Sequence, residues 1–249
     1  FQLESSDVSG KFVPRISEVS AQIGMIYLFI SVACAATYML CGMTSFEAIT
    51  HAMTTVSAGG YSTYDASFGA FYETPAVPAA IFFMIVAGLP FSLLALAMIH
   101  GRVKPLLNDP QPRLFMGLIG AIAITVFALR VLADQDYVII SPINGFIETL
   151  FNVVSVMTGT GYATAPYDGW GEPIVMIFLI TIFLGGCAGS AACGIKMFRL
   201  EISFRAVLAH AQQMVSPHRV VRIRYGGKVI DNDTLQSVMV FVFLYLATF

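Results

Sequence analysis

Long apolar runs alternate along this chain with shorter segments of helical pattern. The first run covers residues 20–42, and a hydrocarbon layer of about 30 Å takes roughly 20 helical residues to cross. A shorter pattern follows at residues 44–57 and, at about 1.5 Å per residue, reaches only ~20 Å. The pattern therefore predicts a spanning helix followed by a helix that enters the layer and turns back.

A third apolar run, at residues 75–101, completes a first unit. Its middle reads Gly-Leu-Pro at residues 88–90, where proline removes a helical hydrogen bond, so we expect a kink. A polar connector at residues 103–113 separates this unit from the next. We assign residues 20–102 to the first unit and residues 1–19 to a lead-in.

A second unit repeats this plan. A spanning pattern at residues 114–133, a short helical pattern at 143–157 and a long apolar run at 173–198 follow one another. We assign residues 114–200 to this unit. Residues 185–194 are predicted to break its last helix, because glycine and other small residues crowd there and each interior glycine costs a helix about 1 kcal/mol against alanine.

After the second unit the chain becomes polar and then apolar again. Residues 201–231 form a predicted polar connector, and residues 232–249 begin a further apolar helix. That run is shorter than the roughly 20 residues that a crossing needs. We therefore expect the chain to be an internal part of a longer protein.

A short glycine-bearing stretch follows each of the two short helices. The first glycine stretch, residues 58–63, reads Ala-Gly-Gly-Tyr-Ser-Thr, and the second, residues 159–164, reads Gly-Thr-Gly-Tyr-Ala-Thr. The offset, 161 − 60 = 101, also places Glu47 on Glu148. One offset that serves both the helix and the stretch indicates an internal repeat.

The glycine stretches carry the clearest indication of function. Irregular backbone at membrane depth is tolerated only where it lines a cavity, and carbonyls aimed at one axis can replace the hydration shell of a cation. A single Gly-Tyr motif is better explained by a tight turn that links two helices. Two copies in register, each behind the C-terminal end of a short helix with its partial negative charge, favour a cation filter.

Composition and charge place the chain in a membrane and orient it. Hydrophobic residues make up 57% and charged residues 11%, as in integral membrane proteins. Twelve of the thirteen basic residues lie on one side, which is therefore cytoplasmic, and the expected location is the cell inner (plasma) membrane, crossed several times. The opposite side is acidic and would concentrate cations; it carries Glu47, Asp65, Glu73, Asp134, Asp136, Glu148, Asp168 and Glu172.

Other reactive side chains do not form a recognisable site in the sequence. Cys34, Cys41, Cys187 and Cys193 lack metal-ligand spacing, and the histidines are scattered. His51, on the first short helix, is expected to be packed and hydrogen-bonded. We expect no metal or catalytic cluster and no bound cofactor.

Two basic residues leave alternatives open. Lys196 follows the small-residue segment and is either an anchor that reaches the interface or a cation that repels the transported ion. Arg130 is expected to pair with Asp134 or Glu148. Residues 219–228 form a basic stretch that either docks a cytoplasmic partner or is simply the positive flank.

The two units, with their Gly-Gly-Tyr and Gly-Thr-Gly-Tyr stretches, resemble the Trk/Ktr/HKT superfamily of potassium transporters, and most closely the bacterial Trk potassium-uptake subunits. Residues 11–102 resemble the second repeat of that family, residues 112–200 the third, and residues 232–249 the start of the fourth. The resemblance implies an all-α integral membrane fold of helix, pore-loop, helix units similar to a potassium-channel pore. Potassium is then the transported ion.

The resemblance also implies roles for particular residues. Backbone carbonyls of the two glycine stretches would bind K⁺, and the small-residue segment would be an intramembrane gate, although Ala192 and Cys193 stand where the family more often has glycine. Tyr61 and Tyr162 would pack behind the filter. The filter residues are Ala58, Gly59, Gly60, Gly159, Thr160 and Gly161, and the gating residues are Gly185, Gly186, Gly189, Ser190, Gly194 and Lys196.

The family further implies a homodimer, a cytoplasmic ring of nucleotide-binding regulatory subunits, contact with membrane lipid and no nucleic acid. A sodium-conducting or sodium-coupled member of the same superfamily is the closest alternative, since the first repeat, whose filter separates the two, lies outside this sequence. A remote alternative is an intramembrane serine hydrolase with Ser190 as nucleophile and His100 as base. That reading leaves the repeated glycine stretches unexplained.

Overall fold

A computed structural model describes residues 16–133, 141–216, 223–225 and 228–248. The predicted lead-in up to residue 15, Asp134, Asp136 and most of the basic stretch lie outside these residues. Within them the α-helices are α1 (Ile16–Leu40), α2 (Ser45–Val56), α3 (Ala76–Ala87), α4 (Phe91–His100), α5 (Lys104–Asn108), α6 (Pro110–Leu132), α7 (Pro142–Thr158), α8 (Glu172–Phe183), α9 (Met197–Val215) and α10 (Asn232–Thr248).

Short elements complete the description. Two 3₁₀ helices, Ser67–Phe71 and Tyr167–Trp170, follow the two glycine stretches. A small antiparallel hairpin pairs β1 (Arg224–Tyr225) with β2 (Lys228–Val229). The predicted all-α fold is confirmed apart from this hairpin, which lies in the predicted connector.

Helices long enough to cross a membrane occur in both units. Ser20–Leu40 and Pro110–Leu132 each meet the length and apolarity that a span requires, and α3 with α4 does so only if the bent pair is counted as one. The short helices α2 and α7 have 12 and 17 residues. These lengths agree with the prediction of one full and one short helix in each unit.

The short helix α2 begins where its sequence provides a cap. Thr44 and Glu47 form a capping box, in which each side chain accepts a hydrogen bond from the backbone N–H of the other residue. Its buried face packs on α1, and the Tyr38 hydroxyl lies 2.9 Å from Thr55 Oγ1. Helix α2 is thereby fixed against the spanning helix before it.

The predicted kink at residues 88–90 is a sharp break. Helices α3 and α4 are bent by 104°, well beyond a gentle proline kink. Gly88 ends α3, and Pro90 takes an extended conformation with ψ 120° before α4 begins. The apolar run at residues 75–101 is thus two helices that point in different directions.

Both predicted connectors contain helix. Residues 103–113 include α5 and the first turn of α6, which Asp109 caps by accepting a hydrogen bond from Gln111 N at 2.9 Å. Helix α9 runs through the predicted boundary at residue 200. The expectation of a polar connector there missed an amphipathic pattern, because Met197, Phe198 and Ile202 are buried on one face.

The main hydrophobic core lies where the two units meet. Phe68, in the 3₁₀ helix of the first unit, is fully buried, and its ring centroid lies 5.2 Å from that of Phe151 on α7 and 5.0 Å from that of Tyr162. Tyr38 on α1 packs on the same ring. Aromatic side chains from both units therefore fix the two glycine stretches relative to each other.

Candidate functional site

The two glycine stretches have the same backbone conformation. Left-handed residues alternate with others in each, since φ is 55° at Ala58 and 65° at Gly60 in the first, and 73° at Gly159 and 83° at Gly161 in the second. Alanine is uncommon in this region, so Ala58 is held there by its surroundings. The internal repeat predicted from the sequence extends to individual backbone angles.

Each short helix holds its glycine stretch through a hydroxyl at the same repeat position. Thr54 Oγ1 donates to the Tyr61 carbonyl at 2.9 Å, and Ser155 Oγ donates to the Tyr162 carbonyl at 2.7 Å. The carbonyls of the same two helix residues accept hydrogen bonds from the glycine N–H groups at positions 60 and 161, both at 3.3 Å. The chain is thus turned back along the helix in both units.

A second pair of equivalent residues secures the outer end of each stretch. His51 Nε2 lies 2.9 Å from Ser62 Oγ, and Asn152 Nδ2 donates to Thr164 Oγ1 at 2.8 Å. His51 is fully buried, as predicted. Sequence reasoning missed Asn152, although the offset of 101 from His51 could have identified it.

The two stretches approach each other closely. A Cβ atom placed on Gly60 would lie 1.8 Å from the Thr160 carbonyl oxygen, so no other residue fits there without movement of the second stretch. A Cβ atom on Gly161 would meet no described atom within 4 Å. The glycines at the two equivalent positions are therefore required to different degrees.

The two tyrosines differ in their surroundings among the described residues, and packing behind the glycine stretches is seen for Tyr162 but not for Tyr61. Tyr162 is 1% exposed and its hydroxyl donates to the His51 carbonyl at 3.1 Å, whereas Tyr61 is 79% exposed. Tyr162 packs against the short helix of the other unit. Among the described residues no short helix lies beside Tyr61 in the equivalent place.

The loop between α8 and α9, residues 184–196, lies beside the second glycine stretch. Cys193 N donates to the Thr158 carbonyl at 3.0 Å, and a Cβ atom on Gly159 would come within 2.6 Å of Cys193 Cβ. A Cβ atom on Gly185 would lie 2.2 Å from the Cys193 carbonyl oxygen. The helix break is three residues longer than the predicted 185–194. Glycine is required at Gly185 because the backbone of residues 193–195 approaches it too closely for a Cβ atom.

The α8–α9 loop also fills the break between α3 and α4. Cys187 N donates to the Gly88 carbonyl at 2.9 Å, and Phe91 N donates to the Gly189 carbonyl at 3.0 Å. Ala191 N donates to the Ala87 carbonyl, also at 3.0 Å. Backbone groups left over by each interruption satisfy those of the other. The sequence indicated both interruptions but not their contact.

Lys196 points back over the loop. Its Nζ atom donates to the Ser190 carbonyl at 3.2 Å and to the Ala192 carbonyl. These contacts place the ammonium group on loop carbonyls. Ser190 Oγ in turn donates to the Cys187 carbonyl at 2.6 Å, so its hydroxyl is used within the loop.

Arg130 pairs with Glu148, one of the two partners expected. Arg130 Nη2 lies 3.2 Å from Glu148 Oε2, Nη1 donates to Thr149 Oγ1 at 2.9 Å, and the guanidinium lies 3.7 Å from the Trp170 ring centroid. Arg130 and Glu148 are 3% and 5% exposed. Glu148 was expected to add charge to an acidic entrance; it is instead buried and neutralised by its partner.

Glu47, the repeat equivalent of Glu148, is exposed. The Tyr64 hydroxyl and the backbone N–H of Thr44 donate to its carboxylate. These hydrogen bonds favour the ionised form and lower the pKa of Glu47. Glu47 therefore keeps a negative charge on the outer side to lower pH than an ordinary glutamate.

Within the described part of the chain, no group of three or more His, Cys, Asp or Glu side chains could hold a metal ion. The four cysteines are free. The polar groups gathered at the site are mainly backbone carbonyls and N–H groups.

The comparisons with known proteins agree with this architecture. The model of the TrkH family, described as a cation transport protein, matches residues 2–249. The chain belongs to the TrkH family. The resemblance expected from the glycine stretches is confirmed, and the family is one of multi-pass membrane transporters and not of enzymes.

Named relatives give the extent of the match. The chain is 32% identical over its full length to the Trk system potassium uptake protein TrkI of Halomonas elongata, and 32% identical over 237 residues to TrkG of Escherichia coli. The crystal structure of the potassium transporter TrkH from Vibrio parahaemolyticus matches 96% of this chain with a TM-score of 0.87 at 31% identity. The chain spans about half the length of these relatives, namely 49%, 48% and 51%.

Proposed function

We propose that the chain forms part of a potassium uptake protein of the bacterial inner membrane. The observation that carries this proposal is the repeated, hydrogen-bonded glycine stretch behind a short helix. In each copy, alternating left-handed residues turn successive carbonyls while the helix holds the N–H groups. Relatives that match 94–100% of the chain are named as potassium uptake proteins.

In this proposal the carbonyls of the glycine stretches replace water around K⁺. Two stretches supply only part of a ring, so the remaining ligands come from the rest of the full-length protein. K⁺ is the transported ion and not a resident cofactor. The carbonyls belong to Ala58, Gly59, Gly60, Gly159, Thr160 and Gly161.

The α8–α9 loop serves as an intramembrane gate next to this filter. Its position against Gly159 supports the assignment, as does its dependence on backbone hydrogen bonds that can be exchanged for water. The gating residues are those proposed from the sequence: Gly185, Gly186, Gly189, Ser190, Gly194 and Lys196. Lys196 would hold the loop through its carbonyls and would place a positive charge near the ion path.

The assembly proposed for the full-length protein is a homodimer in lipid with a cytoplasmic ring of nucleotide-binding regulatory subunits. The basic residues within 102–113 and 196–228 lie on one face of the chain, and their positive charge supports the assignment of that face to the cytoplasm. Acidic groups such as Glu47 would raise the concentration of cations at the outer entrance.

Complementation tests the proposed transport directly. The full-length protein should restore growth of potassium-uptake-deficient bacteria in low potassium, and rubidium uptake should exceed sodium uptake under the same conditions. The matched control is a full-length variant with both Gly60 and Gly161 replaced by serine, expressed at the same level. Sodium uptake equal to or above rubidium uptake would favour the sodium-conducting alternative. A rubidium-to-sodium preference in the control variant equal to that of the unaltered protein would contradict the filter.

Deletion of residues 189–192 tests the gate. The deletion removes the Gly189 and Ala191 hydrogen bonds to the α3–α4 break together with the carbonyls that Lys196 contacts. We expect rubidium flux through proteoliposomes to rise and to become less dependent on the regulatory partner. If these small residues only pack helices together, the deletion should lower folded yield instead. A well-folded deletion with unchanged flux and regulation would eliminate the gate.

A further inference from the structure

The α8–α9 loop is held from its cytoplasmic side by a side chain of another helix. Gln111, in the first turn of α6, is 1% exposed, and its Oε1 atom accepts a hydrogen bond from Ala188 N at 2.8 Å. Ala188 lies between Cys187 and Gly189, whose backbone groups bond to the α3–α4 break. The glutamine therefore bonds the middle of a segment whose two neighbouring residues bond to the α3–α4 break.

The residue beneath Ala188 belongs to the β1–β2 hairpin. Ala188, Phe198, Ile202 and Val238 form a small buried cluster on which Tyr225 packs. The rings of Tyr225 and Phe198 meet edge to face with centroids 4.9 Å apart. A segment in the predicted cytoplasmic connector thus packs on the same buried cluster as a residue of the loop.

The polar end of Tyr225 is also enclosed. Its hydroxyl is buried near the Gln111 side chain without a hydrogen bond of good geometry to the described residues. Burial together with the nearby Asp109 and Glu201 carboxylates raises the pKa of Tyr225, which keeps the phenol neutral. The hairpin is tied to α9 by Arg205, whose Nη1 atom donates to the Arg224 carbonyl at 2.8 Å. Gln111 and Tyr225 therefore meet beneath the loop.

We propose that Gln111 and Tyr225 are positioning residues that hold the α8–α9 loop in place and link its position to the β1–β2 hairpin. A displacement of the hairpin would remove the support under Ala188, and the neighbouring bonds to the α3–α4 break would open with it. The consequence for transport rests on the proposed gate. The positioning itself does not.

Hydrogen exchange at single amides tests the positioning without any ion flux. In the full-length protein, the variant Gln111→Leu removes the acceptor of Ala188 N, and loss of one buried hydrogen bond should raise exchange at Ala188 about tenfold. If the residues act as proposed, Cys187 and Ala191 exchange faster as well. Their own acceptors, the carbonyls of Gly88 and Ala87, are unchanged by the substitution.

Two further variants complete the experiment. Tyr225→Ala removes the ring that packs on Phe198 and on the cluster containing Ala188, and we expect faster exchange at the same three amides; it also carries the test if Gln111→Leu does not fold. Asn108→Ala is the matched control, because it removes a hydrogen bond to Arg113 at the same end of α6 and away from the loop. Asn108→Ala should leave the hydrogen-exchange rates of all three amides unchanged.

The outcomes separate this proposal from the proposed function. Faster exchange confined to Ala188 would make Gln111 a local hydrogen-bond partner and overturn the link, as would unchanged exchange in Tyr225→Ala. Rubidium flux through the same proteins should rise several-fold without the regulatory partner. Faster exchange at all three amides with unchanged flux would uphold the positioning and contradict the gate.

Discussion

Replacing Gly60 with alanine is expected to abolish selective potassium uptake by the full-length protein. The added Cβ atom would lie 1.8 Å from the Thr160 carbonyl oxygen, so this carbonyl must move. Alanine at φ 65° costs a further 1–2 kcal/mol, roughly. The backbone cost alone corresponds to about a tenfold decrease in the population of the native filter conformation. The displacement of the Thr160 carbonyl adds to this decrease. Rubidium and sodium uptake by matched amounts of protein would measure the loss.

Other glycines of the chain provide graded controls for Gly60→Ala. Gly161→Ala meets the backbone cost at φ 83° but no described atom within 4 Å, so we expect a smaller loss of selectivity. In Gly59→Ala the backbone cost is absent, because Gly59 is not in the left-handed region, and the steric cost is small. The atom nearest to the added Cβ atom would be Ser57 Oγ, at 3.2 Å. Gly24→Ala, in an open position on α1, should leave transport unchanged.

The order of the four variants decides the interpretation. A steric and conformational origin predicts the largest loss at Gly60, then Gly161, then Gly59, with Gly24 unaffected. Equal selectivity in Gly60→Ala and Gly24→Ala would show that the first glycine stretch does not contact the ion. A larger loss at Gly161 than at Gly60 would mean that segments of the full-length protein outside the described residues crowd the second stretch.

Local patterns predicted the elements of this site well. Hydrophobic periodicity placed short helices at residues 44–57 and 143–157, and the structure has them at Ser45–Val56 and Pro142–Thr158. Thr54 and Ser155, which are 101 positions apart, make equivalent hydrogen bonds to the tyrosine carbonyls of the two glycine stretches. These features depend on residues close in the sequence, which is why periodicity and the repeat were sufficient to find them.

Contacts between distant segments were not predictable in the same way. The sequence marked residues 88–90 and 185–194 as helix interruptions. It did not show that the backbone N–H and C=O groups left unpaired at one interruption form hydrogen bonds with those of the other. Tyr61 and Tyr162 occupy equivalent positions and differ because one meets a neighbouring short helix and the other does not. Helix α9 was missed because three buried apolar residues, Met197, Phe198 and Ile202, lie within a charged segment.

Replacing Arg130 with methionine is expected to destabilise the second unit strongly. The substitution leaves the Glu148 carboxylate buried without its partner, and breaking a buried ion pair from one side costs about 3–5 kcal/mol. It also removes the cation from the face of the Trp170 ring. Because Glu148 lies on α7, the helix that holds the second glycine stretch would loosen. The thermal unfolding midpoint of the purified full-length protein, with folded yield, measures the effect.

The repeat provides the control for this prediction. Glu47→Gln, at the position equivalent to Glu148, alters an exposed carboxylate and keeps a side chain that can form a capping box, so it should lower the unfolding midpoint much less than Arg130→Met. The double variant Arg130→Met with Glu148→Leu removes both charges and should recover most of the lost stability, because apolar side chains can replace a buried ion pair. An unfolding midpoint in Arg130→Met equal to that of the unaltered protein would mean that water or another cation reaches Glu148. Its charge would then belong to the outer entrance, as the sequence first indicated, and not to the packing of α7.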